Sequence, residues 1–249
     1  MKMIALNPSC QHFELIKTTD NQILHRVDLK GIIIILLISI LGFRSLKAQT
    51  TKKIEYFDLN DVRLLTGDFK HAEDLDLAYL LEMDPDRLLA PFLREAELPV
   101  KKDSYANWEN TRLDGHIGGH YLSALSLMYA STEDTRVKDC LDYMISALKR
   151  CQDSNGNGYI GGVPQGKAIW KDIRNGKIKA DGFSLNGKWV PLYNIHKTYA
   201  GLRDAYLLTG SEIAKEMLIK MTGWAINLVE KLSEKQIQDM LRSKHVIHG

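Results

Sequence analysis

Two stretches of this chain share one pattern of apolar and polar positions. Leu113–Tyr121 (LDGHIGGHY) and Trp189–Tyr206 (WVPLYNIHKTYAGLRDAY) each open with glycine- or proline-containing loop sequence. Each places a histidine where a helix is about to begin, then runs into an amphipathic helix. The first copy predicts a helix from Gly119 to about Tyr129, a turn at Ser131-Thr132-Glu133-Asp134, and a long helix to about Cys151. The second predicts a helix over Leu192–Leu208, a turn at Thr209-Gly210-Ser211, and a helix over Glu212–Leu232. Each copy reads as an antiparallel helix pair, and the turns at Ser131 and Thr209 lie 78 residues apart. With no β-alternating run of comparable length between them, the pattern favours an all-α array of helical hairpins, a solenoid or a closed α/α toroid, over a βαβ fold.

Upstream, Ala72, Leu75, Ala78, Tyr79 and Leu81 approach helical period and predict a helix over His71–Met83. Asp84-Pro85 breaks it and supplies a cap and a first-turn proline for a helix over Arg87–Ala96. Before these, Thr50–Asp68 carries Val62, Leu64 and Leu65 among polar residues and reads as an extended strand or a strap. Lys101–Arg112 is a polar loop with Tyr105 and Trp108, and Lys167–Lys188 is a second polar segment with Trp170, ending at an Asn186-Gly187 turn. Asp153–Pro164 (DSNGNGYIGGVP) imitates the start of a calcium loop, but Pro164 holds the place of the bidentate glutamate. An Asn/Gly turn cluster is the favoured reading.

The N-terminal 48 residues differ from the rest. Residues 32–43 are an almost unbroken apolar run behind Arg26 and Lys30, shorter than the roughly 20 residues of a membrane span and suited to a signal-peptide core. The expectation is an exported protein, periplasmic or extracellular, with leader 1–48 and mature domain 49–249; the alternatives are an uncleaved anchor and a misplaced start codon with no export, and the signal or anchor is the only membrane contact expected. Residues 1–48 hold six Lys/Arg and three Asp/Glu, which leaves 27 basic and 28 acidic groups beyond them. That balance gives no footprint for nucleic acid. Cys140 and Cys151 lie eleven residues apart in one predicted helix, about 16 Å along its axis, too far for a disulfide. They read as small buried apolar residues.

His116 and His120 stand at i,i+4 and could form a metal pair, yet Ile117-Gly118-Gly119 between them supplies no general base and weakens a helix. The other readings are a histidine at a helix start with one nitrogen free for a hydroxyl, or an ordinary structural histidine. For His196 the loop in front brings Trp189 and Tyr193 to the same end. Aromatic faces beside polar hydrogen-bonding groups are how a cleft holds a sugar, and also how many helices pack.

Three runs, NWENTRLDGHIGGHYLSALSLMYA, LDYMISALKRCQDSNGNGYIGGVPQG and FSLNGKWVPLYNIHKTYAGLRDAYLLTG, closely resemble the N-terminal part of the catalytic domain of glycoside hydrolase family 127, the β-L-arabinofuranosidase-like proteins. The likeness spans Phe57 to Ser243. It implies an all-α fold in which the hairpins form the first part of an (α/α)6 barrel, and a secreted enzyme acting on arabinose-containing plant glycans. It further implies a zinc-bound cysteine nucleophile and a glutamate acid/base, in place of the usual two carboxylates. Those residues are expected downstream of Gly249, so no catalytic residue, metal ligand or cofactor is assigned here, and zinc is expected only in the full-length domain. The resemblance places His196 against the sugar and His116 and His120 at the same end of the barrel; with Trp108, Trp189 and Tyr193 these are the candidate substrate-binding residues. Cys140 and Cys151 do not match the nucleophile or the zinc ligands.

Relatives continue beyond Ser243 into another loop and helix, so the chain is expected to be a truncated part of the domain, inactive alone, since under half of the hairpins cannot close a barrel. The alternative is a non-catalytic helical-hairpin protein that binds glycans or partners. A third reading, another α/α-toroid enzyme such as an unsaturated glucuronyl hydrolase, needs acidic loop residues, for which Asp114 is the candidate. The sequence sets no oligomeric state.

Overall fold

A computed structural model describes residues 55–242 of the chain; the predicted leader, with its apolar core at 32–43, lies outside them. The described residues are mostly helical, as the periodicity predicts. None of their helices is long and apolar enough to cross a membrane.

The described residues first make a short 3-10 turn at Leu59–Asp61, and none of those between 55 and 67 forms a strand. Val62, Leu64 and Leu65 are all exposed. The attachment is polar instead: Arg63 donates to the Ala130 carbonyl at 3.2 Å and pairs with Glu133 at 2.7 Å. Helix α1, Asp68–Glu82, has no buried residue, although Leu77, Leu80 and Leu81 lean on the core. Helix α2, Pro85–Glu95, begins as expected, with the Asp84 carboxylate accepting from the Asp86 amide and proline at the first position. Leu88, Leu89, Phe92 and Leu93 then enter the core.

Helices α3 (His116–Thr132) and α4 (Thr135–Asn155) form the first hairpin. Its turn is set by Glu133 in the left-handed region and by Asp134, whose side chain caps α4. Glu133 there carries the ion pair with Arg63. Helix α3 starts three residues earlier than its glycines suggest. Gly118 and Gly119 cost helix propensity, but close packing repays them: a Cβ at Gly118 would stand 2.8 Å from the Phe92 ring, and one at Gly119 2.4 Å from the Lys197 backbone. A later segment supplies that partner, helix α6.

Between the hairpins, Gly156 ends α4 in the left-handed region. The carboxamide of Asn157 accepts from the Tyr159 amide at 3.0 Å, and Asp153, still within α4, pairs with Lys149 at 2.7 Å. The segment after Lys167 is not wholly a loop. Helix α5, Gly166–Arg174, buries Ile169, Trp170 and Ile173 on one face, a spacing masked in the sequence by the four charged residues Lys167, Lys171, Asp172 and Arg174. Trp170 meets Trp224 edge-on at 5.5 Å and Tyr159 at 6.3 Å.

Three two-residue strands follow, β1 (Ala180–Asp181), β2 (Ser184–Leu185) and β3 (Lys188–Trp189), as an antiparallel meander with Leu185 opposite Lys188. Asn186 and Gly187 both have positive φ, 49° and 75°, the conformation that a two-residue hairpin turn requires. Helices α6 (Pro191–Thr209) and α7 (Glu212–Val229) make the second hairpin around Gly210 and the Ser211 cap. Helix α7 stops three residues short of the predicted Leu232, and α8, Glu234–Leu241, starts afresh with a Ser233/Gln236 capping box. Helices α3 and α6 share the most extensive contact of any two elements, and both aim their N-terminal ends at one place.

Candidate functional site

The place where α3 and α6 begin is built from three loops. A 3-10 turn at Asn107–Asn110 exposes Trp108 and buries Glu109 beside it. The α3 N-cap is Gly115, with φ of 95° and no side chain to satisfy the first amides. Glu109 does so from six residues away. Its Oε2 accepts from the Gly115 amide at 2.9 Å and its Oε1 from the Ile117 amide at 3.0 Å. His116 is buried against this carboxylate, its Nδ1 2.8 Å from Glu109 Oε1 and 2.8 Å from the Leu113 carbonyl. Both neighbours are acceptors, so Nδ1 carries a proton, and Nε2 is the ring nitrogen left for an outside partner.

The meander delivers the second wall. Trp189 ends β3, and Val190 follows with φ 36° and ψ 51°, a left-handed conformation costly for a β-branched residue, on the order of 1–3 kcal/mol. Pro191 then starts α6. Asn194, fully buried one turn on, donates to the Leu113 carbonyl at 3.1 Å and the Asp114 carbonyl at 2.6 Å. The loop before α3 is thereby fastened to α6.

The side chains gather as follows. Trp108 lies 6.4 Å from Trp189, at 64°, and 6.0 Å from His116. His116 is 6.1 Å from Tyr193 and 6.2 Å from His120. The Tyr193 hydroxyl is 3.5 Å from His120 Nε2, at the outer limit of a hydrogen bond, and Lys197 Nζ sits 4.6 Å from the Tyr193 ring centre. A cleft of about 460 Å³ opens here, lined by Trp108, Leu113, Phe183, Trp189, Val190 and Tyr193. None of the three histidines lines it: His116 and His120 stand behind the aromatic wall, and His196 is half-buried on α6.

The imidazoles of His120 and His196 are both shifted toward the neutral form. Desolvation, then the positive Lys197, then His116 and His196 push the His120 imidazole below the ordinary histidine range, although part of it is exposed. Desolvation and Lys197 do the same to His196. A neutral imidazole can accept a hydrogen bond from a hydroxyl, as a sugar ligand requires.

Residues 61–248 match the family described as Beta-L-arabinofuranosidase, GH127 catalytic domain. The chain belongs to this family. Membership of the GH127 family supports a glycoside hydrolase of the arabinofuranosidase type, with a carbohydrate as substrate. No curated protein matches the chain.

The zinc chemistry expected of a GH127 domain does not fit the described residues. No three of their His, Cys, Asp or Glu side chains stand together as a metal site would need. Burial pushes the Cys151 thiol up to about 12, and burial also raises Cys140, whose sulfur lies 3.2 Å from the Tyr121 hydroxyl. Both are neutral thiols in packed surroundings, unlike a metal-bound thiolate.

The structure thus gathers Trp108, His116, His120, Trp189 and Tyr193 and sets His196 beside them. Sequence reasoning missed Glu109 and Asn194, which hold this arrangement. Glu109 left a faint signal, a carboxylate shortly before a helix whose own cap position is glycine. Asn194 left another, a polar residue on the inward face of an apolar helix. Asp114 is buried, takes the Arg112 amide at 2.9 Å and pairs with Arg94 at 3.3 Å; desolvation raises its carboxyl above the usual range.

Proposed function

We propose that the cleft between the N-terminal ends of α3 and α6 binds the arabinose unit of a plant-derived glycan. Trp108, Trp189 and Tyr193 serve as ring-stacking faces, and His116, His120 and His196 as hydroxyl partners. The observation that carries this reading is the convergence of two tryptophans and a tyrosine from separate segments on one 460 Å³ cleft, with His116 and His120 packed against those rings. Apolar walls with a few oriented polar groups suit a compact polyhydroxylated ligand, and the fixed protonation of His116 Nδ1 gives that polar group one orientation. We further propose that the two hairpins are staves of an (α/α)6 barrel, that the 32–43 run directs export, and that zinc acts through residues other than those described.

The reading is tested by titrating the full chain with L-arabinose and following tryptophan fluorescence. Trp189→Ala and His196→Ala should each weaken binding about tenfold or more through loss of a stacking face or a hydrogen bond, with helicity unchanged. Unaltered affinity in both variants would remove the cleft as the sugar site.

A second reading, that this portion holds glycan without cleaving it, is favoured by one observation. Two buried carboxylates of the loop leading into α3, Glu109 and Asp114, are both engaged by backbone amides. Hydrolysis of an aryl β-L-arabinofuranoside by the full chain would exclude it.

A further inference from the structure

Trp108 has a second side. With 60% of its surface exposed, it lines the arabinose cleft on one flank and on the other a separate cleft of about 690 Å³ between α1, the start of α2 and the turn that carries it. Among the residues of this second cleft are Tyr79, Glu82, Arg87, Tyr105 and Asn107.

The polar groups here are partly fixed and partly free. The Arg87 guanidinium lies 3.9 Å over the Tyr105 ring, and its Nε donates to the Asp103 carbonyl at 3.3 Å. Tyr105 is held in turn by the Asp84 amide, which donates to its hydroxyl at 2.9 Å. A guanidinium stacked and tethered in this way is already ordered, so its terminal nitrogens can meet an acceptor at little entropic cost. Glu82 and Asn107 make no side-chain hydrogen bond to the described residues, which leaves an acceptor and an amide beside that donor. Tyr79, 63% exposed, adds an aromatic face. One cation and one anion together favour a neutral ligand over an anionic one. Asn107, which precedes Trp108, has a φ of 63°, a left-handed conformation that asparagine adopts more readily than most residues.

We propose that this second cleft is a subsite for the neighbouring glycosyl unit of the same substrate. Trp108 is then the partition between two adjacent sugars, one against Trp189 and Tyr193, the next held by Arg87, Glu82 and Asn107. The inference rests on the arabinose reading of the first cleft and extends it to a ligand of at least two units.

The test compares L-arabinose with an arabinofuranosyl-arabinose disaccharide, titrated into the full chain and into its Arg87→Ala and Glu82→Gln variants. Wild type should bind the disaccharide about tenfold more tightly than the monosaccharide, the worth of one or two hydrogen bonds. Arg87→Ala should abolish that preference and Glu82→Gln reduce it, while affinity for arabinose stays within about twofold, as for an untouched site. Glu82→Gln removes no bond within the fold, so it remains informative if Arg87→Ala proves unstable. Equal affinity of wild type for the two sugars, or variants that weaken both alike, would overturn the subsite and leave the first cleft standing. Failure of either sugar to bind wild type would overturn the arabinose reading, and the subsite with it.

Discussion

Gly119 of α3 and Lys197 of α6 touch through their backbones: a Cβ on the glycine would stand 2.4 Å from the Lys197 carbonyl carbon and 2.6 Å from its oxygen. Gly201, one turn further along α6, faces back, and its Cβ would meet the Gly119 carbonyl oxygen at 2.5 Å and Leu122 Cβ at 2.6 Å. This crossing sets how far His120 lies from Tyr193. Gly119→Ala and Gly201→Ala should each destabilise the domain by about 1–3 kcal/mol or more, because backbone must yield. Gly118→Ala should cost less, since its added atom meets a Phe92 ring that can turn. Denaturation midpoints measure the order, and an unchanged midpoint for Gly119→Ala would show that the helices do not pack this closely.

Glu109→Gln is expected to be harmful despite its shape. The carboxylate accepts from two amides and the His116 ring, whereas a glutamine offers one oxygen and turns an NH2 toward a donor. The expected loss is about 1–3 kcal/mol, with Glu109→Ala similar or worse. Stability equal to wild type in both variants would mean that α3 starts without this cap.

Much of the scaffold was legible in the sequence, because both hairpins advertise themselves through apolar period, turn chemistry and caps of ordinary kinds: Asp84, Asp134 and Ser211 all act where their residue types predict. The start of α3 was not. A glycine pair argues locally against a helix, and only a helix arriving some 80 residues later, in α6, makes the glycines necessary. Helix α5 was hidden for a related reason, its burial resting on Ile169, Trp170 and Ile173 in a short polar run. At the candidate site the aromatics and histidines could be named from their loops, but not the Glu109 and Asn194 bonds that orient them, since these join segments without a local pattern. Val62, Leu64 and Leu65 misled in the opposite sense, as apolar residues that the fold leaves exposed.

The pH dependence of stability has a worked sign. His120 and His196 both have imidazoles held below the ordinary range near 6.5. As pH falls through that value the unfolded chain takes up protons that these folded groups still refuse. Their contribution to stability is therefore full above about pH 6.5 and is lost as pH falls toward their folded values. Melting temperatures between pH 8 and 5 should show a shallower decline for the His120→Gln/His196→Gln double variant than for wild type. Histidine NMR titrations midway at or above 6.5 would contradict the premise.

Glu95 poses the converse case. Its buried carboxylate accepts from the Lys167 amide at 2.7 Å at the start of α5, and desolvation raises its pKa. A raised acid favours proton uptake by the folded state, so the charge weakens the fold as pH rises past the ordinary glutamate range. Glu95→Gln keeps the acceptor without the charge and should leave stability at pH 7 equal or slightly higher. Glu95→Ala should lose about 1–3 kcal/mol, by leaving an orphaned amide. The reverse ranking in urea denaturation would show that the charge itself is stabilising.

One oxygen, the carbonyl of Leu113, takes a hydrogen bond from His116 in the first hairpin and another from Asn194 in the second. In a simple stack of repeats each unit can fray alone, but here the joint between repeats is also the floor of the cleft. Ligand occupancy would then act as mortar between the two halves. Saturation with sugar should slow amide exchange along both hairpins together, including far ends that the ligand never approaches.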